Sequence, residues 1–430
     1  MAVSPDDDRS RLFPTDGGGT RRGSSPLMVN LYGNLLLGLV ATIAISVTLV
    51  ALLSVFWVTR RRRGLPDWTP PVTILKPLKG LDEDLEGNLR SFFRLDYPVY
   101  QLLFCVADPD DPAIPLVQRL LREFPDQDAR LIVGCPRFGL NPKVESLAAM
   151  ERARRHDTIL ISDSNVRARP SYLQETACYL ADPGVGLVTN LFAGTGEEQA
   201  GAALENLQLN GIVAGGVATA SLLGITCVVG KSMLMPARVL EAIGGFASVR
   251  NLLAEDQAIG IRVRKAGYSI RLSHHVVENP NHTRSFRWFL NRHSRWFKIR
   301  RRLAPATFVI EPSFNLATVG VVWALAGDGS GLAWTGLFGF VGLGMARDAI
   351  QAKRLRGTFP SPRHLLLSPL KDLFLLPVWF DALLNRRIQW RGNRFLVGKY
   401  TRLRSARTSR DVRLRVRRVM KVRAQHQHGG

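Results

Sequence analysis

From position 72 onward, short apolar runs alternate with stretches of helical spacing, and no other feature constrains the fold as much. Residues 72–75, 101–107, 130–133 and 158–162 read as strands. Between them, 85–93, 114–124 and 144–154 place apolar residues at helical intervals. This βαβα order predicts a parallel sheet covered by helices on both faces. Ligands of such sheets bind beyond the carboxyl ends of the strands. Asp108 and Asp163 fall at two of those ends. Further on, the pattern predicts a helix near 172–180 and a strand at 186–189. A Gly/Ala-rich helix of low charge over 204–223, suited to resting on a membrane, and a strand pair or bend at 226–235 follow.

Residues 31–58 are nearly all apolar, more than the ~20 residues that cross a bilayer. No small-residue cleavage site leads from them into a soluble region, so they predict an anchor rather than a removed signal. Arg60, Arg61, Arg62 and Arg63 follow, and the excess of positive charge on cytoplasmic flanks puts that side in the cytosol. Apolar runs at 314–325 and 332–345, split by Gly327-Asp328-Gly329-Ser330, predict a membrane hairpin. The run 364–384 contains Lys371, Asp372, Pro369 and Pro377, and a crossing there would export the basic residues after it. It reads as interfacial or re-entrant. The expected organisation is a disordered N-terminus at 1–28, an anchor at 29–59 and a cytosolic domain at 70–306. A hairpin at 313–346, the segment 364–384 and a basic tail at 385–430 complete it.

The net charge of +23 invites a nucleic-acid reading, but its distribution argues against one. Basic residues crowd beside the apolar segments and over 386–423, where Asp411 is the only acid. Such a stretch is drawn to anionic lipid by ~1 kcal/mol per basic residue. The four cysteines, Cys105, Cys135, Cys178 and Cys227, form no Cys-x-x-Cys pair and read as small hydrophobes.

Three acidic clusters and one basic-aromatic motif carry the chemistry. In Asp108-Pro109-Asp110-Asp111 one carboxylate suits the nucleoside of a nucleotide sugar, and a cap for the following helix is the plain structural reading. Asp163-Ser164-Asn165 places two oxygen ligands two residues apart on a turn, where both can face Mg²⁺ or Mn²⁺ bridging a diphosphate. Asn165 supplies a neutral oxygen, so binding is weaker than with two carboxylates; an Asx turn is the structural alternative. Asp256 follows Glu255 and precedes a helical run. It suits a base for an acceptor hydroxyl, with its pKa raised by Glu255 or by a diphosphate, or else a helix N-terminal charge. Arg-x-x-Arg-Trp occurs at 284–288 and again at Arg292, Arg295 and Trp296. Guanidinium groups three apart on a helix can clamp phosphates, and indole can stack on a sugar or line an acceptor entrance. A basic amphipathic helix on a membrane surface is compatible with that role. Gly230-Lys231-Ser232 is not a P-loop, because the earlier glycine is missing and no helix follows directly.

Carboxylates after apolar runs, followed by Arg-x-x-Arg-Trp, resemble the order of an inverting, metal-dependent glycosyltransferase. The chain resembles the ceramide glucosyltransferase family, a membrane-bound branch of the GT-A glycosyltransferases, over about 72–305. The resemblance rests on Leu75-Lys76-Pro77-Leu78-Lys79-Gly80, Asp96-Tyr97-Pro98, Asp110-Asp111-Pro112-Ala113-Ile114, Asn141-Pro142-Lys143 and Asp163-Ser164. It extends to Glu255-Asp256, Arg292-His293-Ser294-Arg295-Trp296-Phe297-Lys298 and Trp390-Arg391-Gly392. It implies an α/β, GT-A type Rossmann-like mixed sheet with helices on both faces, plus transmembrane helices. The implied reaction moves one hexose, glucose, from a UDP-sugar to a lipid hydroxyl such as that of ceramide, with Mg²⁺ or Mn²⁺ and no nucleic acid. By the resemblance, Asp108 or Asp111 holds the nucleoside and Lys143 lies near the nucleotide. Asp163, with Asn165, binds the cation, and Asp256 is the base. Arg292, Arg295 and Trp296 organise the diphosphate and acceptor, the spacing to Lys298-Ile299-Arg300 selecting this second copy. The chain departs at Gln257, where the animal enzymes have an aromatic residue. Its Arg- and Ala-rich composition resembles bacterial members, some of which glycosylate hopanoid polyols, which leaves that acceptor as an alternative. A bacterial inner membrane is the implied location. A polysaccharide synthase would need more full crossings after the catalytic domain, and a basic membrane scaffold would not depend on the acidic residues.

Overall fold

The computed structural model describes residues 26–61, 64–327, 330–390 and 392–405, without the side chains of 26–34. The disorder expected at the N-terminus falls almost wholly outside these residues, as do Arg62 and Arg63 and positions 406–430 of the tail. Helix α1 (Pro26–Val58) has 33 residues. At ~1.5 Å per residue it is ~50 Å long, against ~30 Å for a bilayer core. Among the described residues it is the one single helix long and apolar enough to cross a membrane, over Leu35–Val58. Its last two turns lie elsewhere: Val55 and Val58 are buried with Leu191, Ala193 and Leu272 in one apolar cluster.

The alternation produces β1 (Val72–Leu78), α2 (Leu85–Phe92), β2 (Tyr100–Val106), α3 (Ala113–Glu123), β3 (Ala129–Val133), α4 (Pro142–Glu151) and β4 (Thr158–Ser162). All four strands are parallel. Successive residues of β1 face opposite covers: Ile74 joins the cluster containing Leu89 of α2 and Val117 of α3, Leu75 the one containing Val144 and Leu147 of α4. After α5 (Tyr172–Ala177), β5 (Val185–Thr195) runs well past the predicted 186–189. The predicted strand pair at 226–235 reduces to β6 (Ser232–Pro236), antiparallel to both β4 and β5. Helices α8 (Ala237–Ala242) and α9 (Glu255–Lys265) then lead to β7 (Ser269–Pro280), parallel to β5. The order is β3-β2-β1-β4-β6-β5-β7, so the sheet is mixed rather than all parallel. The reversed β6 brings Gly230 and Lys231, just ahead of it, beside the carboxyl end of β4, since Ser232 pairs with Ser162.

The Gly/Ala-rich helix is built from α6 (Ala200–Gln208), a π-helical turn (Leu209–Val213) and α7 (Ala214–Leu222). It rests on α1, Gly215 facing Ala51 and Thr219 Oγ1 lying 3.2 Å from Ser54 Oγ. Gly211, in the π turn, has no room for a Cβ, which would sit 2.2 Å from Asp348 Oδ1.

Beyond the sheet come α10 (Phe286–Leu303), α11 (Pro305–Ile310), α12 (Leu316–Ala326), α13 (Gly331–Arg356), α14 (Pro362–Leu365) and α15 (Ser368–Leu384). The runs expected as a membrane hairpin form two helices, α12 and α13, that pack together with Gly320 against Leu337. Helix α12 has only 11 residues; joined to 305–314 it forms a pair bent by 67° that is apolar enough to cross together. Helix α13 runs on to Arg356, whose guanidinium pairs with Glu197. The charges that argue against a crossing at 364–384 are paired in a buried network. Lys371 Nζ lies 3.0 Å from Asp348 and 2.7 Å from Asp372, and Arg347 is 2.9 Å from Asp348. The start of the segment expected as a basic tail folds. Strands β8 (Arg387–Trp390), β9 (Asn393–Val397) and β10 (Leu403–Ser405) form a small antiparallel sheet. Ile388, Phe395, Val397 and Leu403 bury themselves there with Leu253, apolar residues that the surrounding arginines obscure in the sequence.

Candidate active site

Asn141-Pro142-Lys143 starts α4 and organises the site through it. Proline at the first helical position needs no N–H partner, and the Asn141 side chain caps the helix by accepting from the Lys143 and Val144 amides. Its Nδ2 donates to the Leu252 carbonyl at 2.7 Å and to Glu255 at 3.2 Å, tying α4 to the start of α9. Lys143 thereby projects between two acids: Nζ is 2.8 Å from Asp163 Oδ1 and 3.0 Å from Glu255 Oε1. Burial works against its charge, but Asp163 and Glu255 outweigh it and raise the pKa.

Asp256 is the next residue of α9. Its Oδ2 accepts from the Gly230 N–H at 3.1 Å, and Oδ1 from the Gln257 N–H at 2.7 Å. Glycine is required at 230, because a Cβ there would lie 2.5 Å from Asp256 Oδ2. Burial, and then repulsion from Glu255, push the Asp256 carboxyl up to about 7. A carboxyl poised near neutrality takes a proton efficiently. The loop before α9 is braced from the C-terminal sheet: the Leu253 N–H donates to the Thr401 carbonyl at 3.0 Å and the Ala254 N–H to Thr401 Oγ1 at 3.4 Å.

Two more lysines meet Asp163 and its turn. Lys76 is sealed under the Phe92 ring and donates to the Asp163 carbonyl at 3.0 Å and to Ser162 Oγ at 3.3 Å; burial lowers its pKa. Lys231 Nζ donates to Asn165 Oδ1 at 2.6 Å and to Asn279 Oδ1 at 2.7 Å. Ser164 Oγ donates to Asp82.

In α10 the second Arg-x-x-Arg-Trp copy is mid-helix, whereas the first straddles the helix start, with Ser285 as its N-cap. Trp288, Arg292 and Trp296 recur every four residues, and the Arg292 guanidinium lies 5.1 Å and 4.6 Å from the two indole rings. Arg292 and His293 both bond the fully buried Glu205 of α6, each at 3.0 Å. Burial opposes the Glu205 charge, yet Arg292 and His293 outweigh it and hold its pKa low. Arg295 and Trp296 are half-buried on the same helix.

The first acidic cluster divides. Asp111 is buried, and its carboxylate accepts from the Gly80 N–H at 3.0 and 2.9 Å and from the Ala113 N–H at 2.9 Å. It ties the turn after β1 to the start of α3. Asp108 is exposed, its Oδ1 accepting from the Asp110 N–H at 3.1 Å.

The donor set bears on a cation. Among the described residues no three His, Cys, Asp or Glu side chains form a cluster able to hold a metal. Mg²⁺ commonly uses one or two carboxylates together with substrate phosphates. The partly exposed Asp163 fits such a role. The Asn165 oxygen is engaged by Lys231 Nζ at 2.6 Å, as Asp163 Oδ1 is by Lys143 Nζ at 2.8 Å.

Residues 38–403 match the family described as Glycosyl transferase family 21. The chain belongs to this family. Ceramide glucosyltransferase 1 of Caenorhabditis elegans is 29% identical over 401 residues, 91% of this chain and 86% of that one. Ceramide glucosyltransferase 3 of the same animal is 29% identical over 345 residues, 76% and 72% of the two chains. The ceramide glucosyltransferase of Komagataella phaffii is 40% identical over 143 residues, 30% and 28%. Among solved structures, a mannosyltransferase from Pyrobaculum calidifontis in complex with GDP-Man and Mn²⁺ covers 81% of this chain and 99% of its own at 16% identity, TM-score 0.48. This family 21 protein is a glycosyltransferase built on a mixed seven-stranded sheet.

Of the predicted site residues, the structure gathers Lys143, Asp163 and Asp256 around one helix N-terminus, and Arg292 is brought near through Lys231, whose charge it disfavours. Glu205, Lys231 and Glu255 as a second partner of Lys143 were not foreseen. Gly230-Lys231-Ser232 was visible but matched the wrong motif, and Glu205 carried no local signal.

Proposed function

We propose that this family 21 glycosyltransferase moves a single glucose from a UDP-sugar to the hydroxyl of ceramide, with inversion, on the cytosolic side of a bacterial inner membrane. The observation that carries the reading is Asp256, a half-buried carboxyl with a pKa of about 7 that the Gly230 amide fixes beside Lys143 and Asp163. Asp256 takes the proton from the attacking hydroxyl at Oδ2 or Oδ1, and one displacement at the anomeric carbon inverts it. Lys143 and Arg292 place positive charge where the diphosphate gathers negative charge, and Trp296 offers the acceptor an apolar wall. Of Asp108 and Asp111, Asp108 is the exposed one and more open to the nucleoside, Asp111 being buried and engaged by backbone amides. Mg²⁺ or Mn²⁺ held at Asp163 would supply Lewis-acid stabilisation of the leaving diphosphate. The relatives named as ceramide glucosyltransferases support the acceptor and the sugar.

The test is the purified full-length protein with UDP-glucose and ceramide, together with mass spectra of lipids from cells with and without the gene. Glucosylceramide formation is expected. A hexosylated hopanoid polyol instead would replace the acceptor, and no hexosylated lipid of any kind would overturn the reading.

A further inference from the structure

Lys231 takes no part in the roles assigned above, yet it lies among the residues that carry them. It precedes β6 and is 6% exposed. Its ammonium has two amide oxygens as partners, Asn165 at 2.6 Å and Asn279 at 2.7 Å, and lies 5.4 Å from the Phe192 ring centroid. All three partners are neutral. Among the described residues no carboxylate pairs with it. The two neighbouring lysines differ: Lys143 is matched by Asp163 and Glu255, and Lys76 is sealed at 0% exposure under Asp163. A buried ammonium whose contacting partners are all neutral is costly. Burial, and then Arg292, press its pKa down to about 7, and the more distant Asp163 and Asp82 offset this only in part. Asn279 adds a second open donor: its buried Nδ2 has no hydrogen-bond partner among the described residues, while the oxygen of the same amide holds Lys231. A cation and an amide N–H side by side, facing the surroundings of Arg292, Asp163, Asp82 and Lys143, are the donor set that an anionic oxygen needs.

We propose that Lys231 binds a phosphate oxygen of the donor's diphosphate, with Asn165 and Asn279 as its positioning residues. The assignment rests on the nucleotide-sugar reading above. Asn165 then works for the leaving group through a lysine instead of through a metal.

The experiment is calorimetric titration of the full-length protein in detergent with UDP, UMP and uridine, in EDTA so that no added cation masks the lysine. Lys231→Met is expected to weaken UDP by roughly tenfold or more and to leave uridine unchanged, with Lys231→Arg recovering part of the loss. Asn279→Asp gives the lysine a permanent partner and is expected to weaken UDP while keeping the ammonium, so the idea stays testable if Lys231→Met misfolds. Equal UDP affinity in wild type and variants would overturn it, as would an equal loss for uridine, which marks a merely structural role. A loss confined to a donor bearing a sugar carboxylate would put the ammonium at the sugar and overturn the diphosphate assignment. A wild type that binds neither UDP nor uridine, in EDTA or with Mg²⁺ or Mn²⁺ added back, would overturn the nucleotide-sugar reading itself.

Discussion

At the residue scale, the proposed role of Asp256 as base would leave two signatures. Asp256→Asn keeps the shape and removes the basicity, so turnover is expected to fall ~10²–10⁴-fold while UDP-sugar binding survives. Initial rates and titrations check this; near-normal turnover would remove the base from Asp256. The wild-type rate should rise with pH through about 7, because the carboxyl must be unprotonated to act, and the variant should lack that limb. Stability moves the other way. The folded pKa exceeds the unfolded value of ~3.9, so this residue's contribution is complete below that value and is lost as pH rises through about 7. Melting curves should therefore favour Asp256→Asn at pH 8, with the advantage shrinking toward pH 5. The metal prediction is sharper for knowing where Asn165 points. A chelator should abolish turnover, Mg²⁺ or Mn²⁺ should restore it, and Asp163→Ala should resemble the chelated enzyme. On composition alone Asn165→Asp would tighten the cation, but the contact with Lys231 predicts an ion pair there instead, with the cation requirement unchanged in a metal titration. Asp163 and Asp256 were readable because each sits at a local landmark, a strand end or a helix start, whereas Lys143 came only from the family resemblance. Lys231 was not readable, since its partners are 66 and 48 residues away in sequence.

At the element scale, the strands of the first half were legible because both faces are covered and their runs are apolar throughout. The reversal of β6 was not, since direction leaves no trace in a five-residue apolar run. Nor were β8 to β10, whose apolar positions are few among the arginines. Helix α10 looked like a basic surface helix, yet its charges are matched from elements far away in sequence: Glu205 on α6 holds Arg292 and His293, and Asp381 on α15 holds Lys298 at 2.7 Å. Breaking a buried pair from one side costs ~3–5 kcal/mol. Glu205→Gln should lower the denaturation midpoint accordingly, and a chemical-denaturation series on the purified protein would measure it. An unchanged midpoint would mean that Arg292 and His293 do not rely on Glu205.

For the whole molecule, topology decides which substrates can be reached. Reporter fusions after Met28, Arg63, Gly357 and Gly430 should read outside, inside, inside, inside. Arg60 and Arg61 flank the end of α1, and the positive-inside bias predicts that the basic C-terminus shares their side. The pairing of Lys371 with both Asp348 and Asp372 removes the cost of bare charges as an argument, so the basic tail now carries the expectation for 364–384. An external C-terminus would mean that this segment spans the bilayer.

Helix α1 ends inside the catalytic core, with Val55 and Val58 packed on β5 and β7 residues and Thr59 Oγ1 accepting from Arg354 Nε at 2.7 Å. An anchor fused to the core in this way is no leash. With α1 in the bilayer and a lipid as acceptor, as proposed, the reaction centre would ride at a fixed height above the lipid plane and sample acceptors in two dimensions. Its velocity should follow the surface mole fraction of acceptor: diluting the acceptor with inert lipid slows it, whereas diluting whole vesicles in buffer does not.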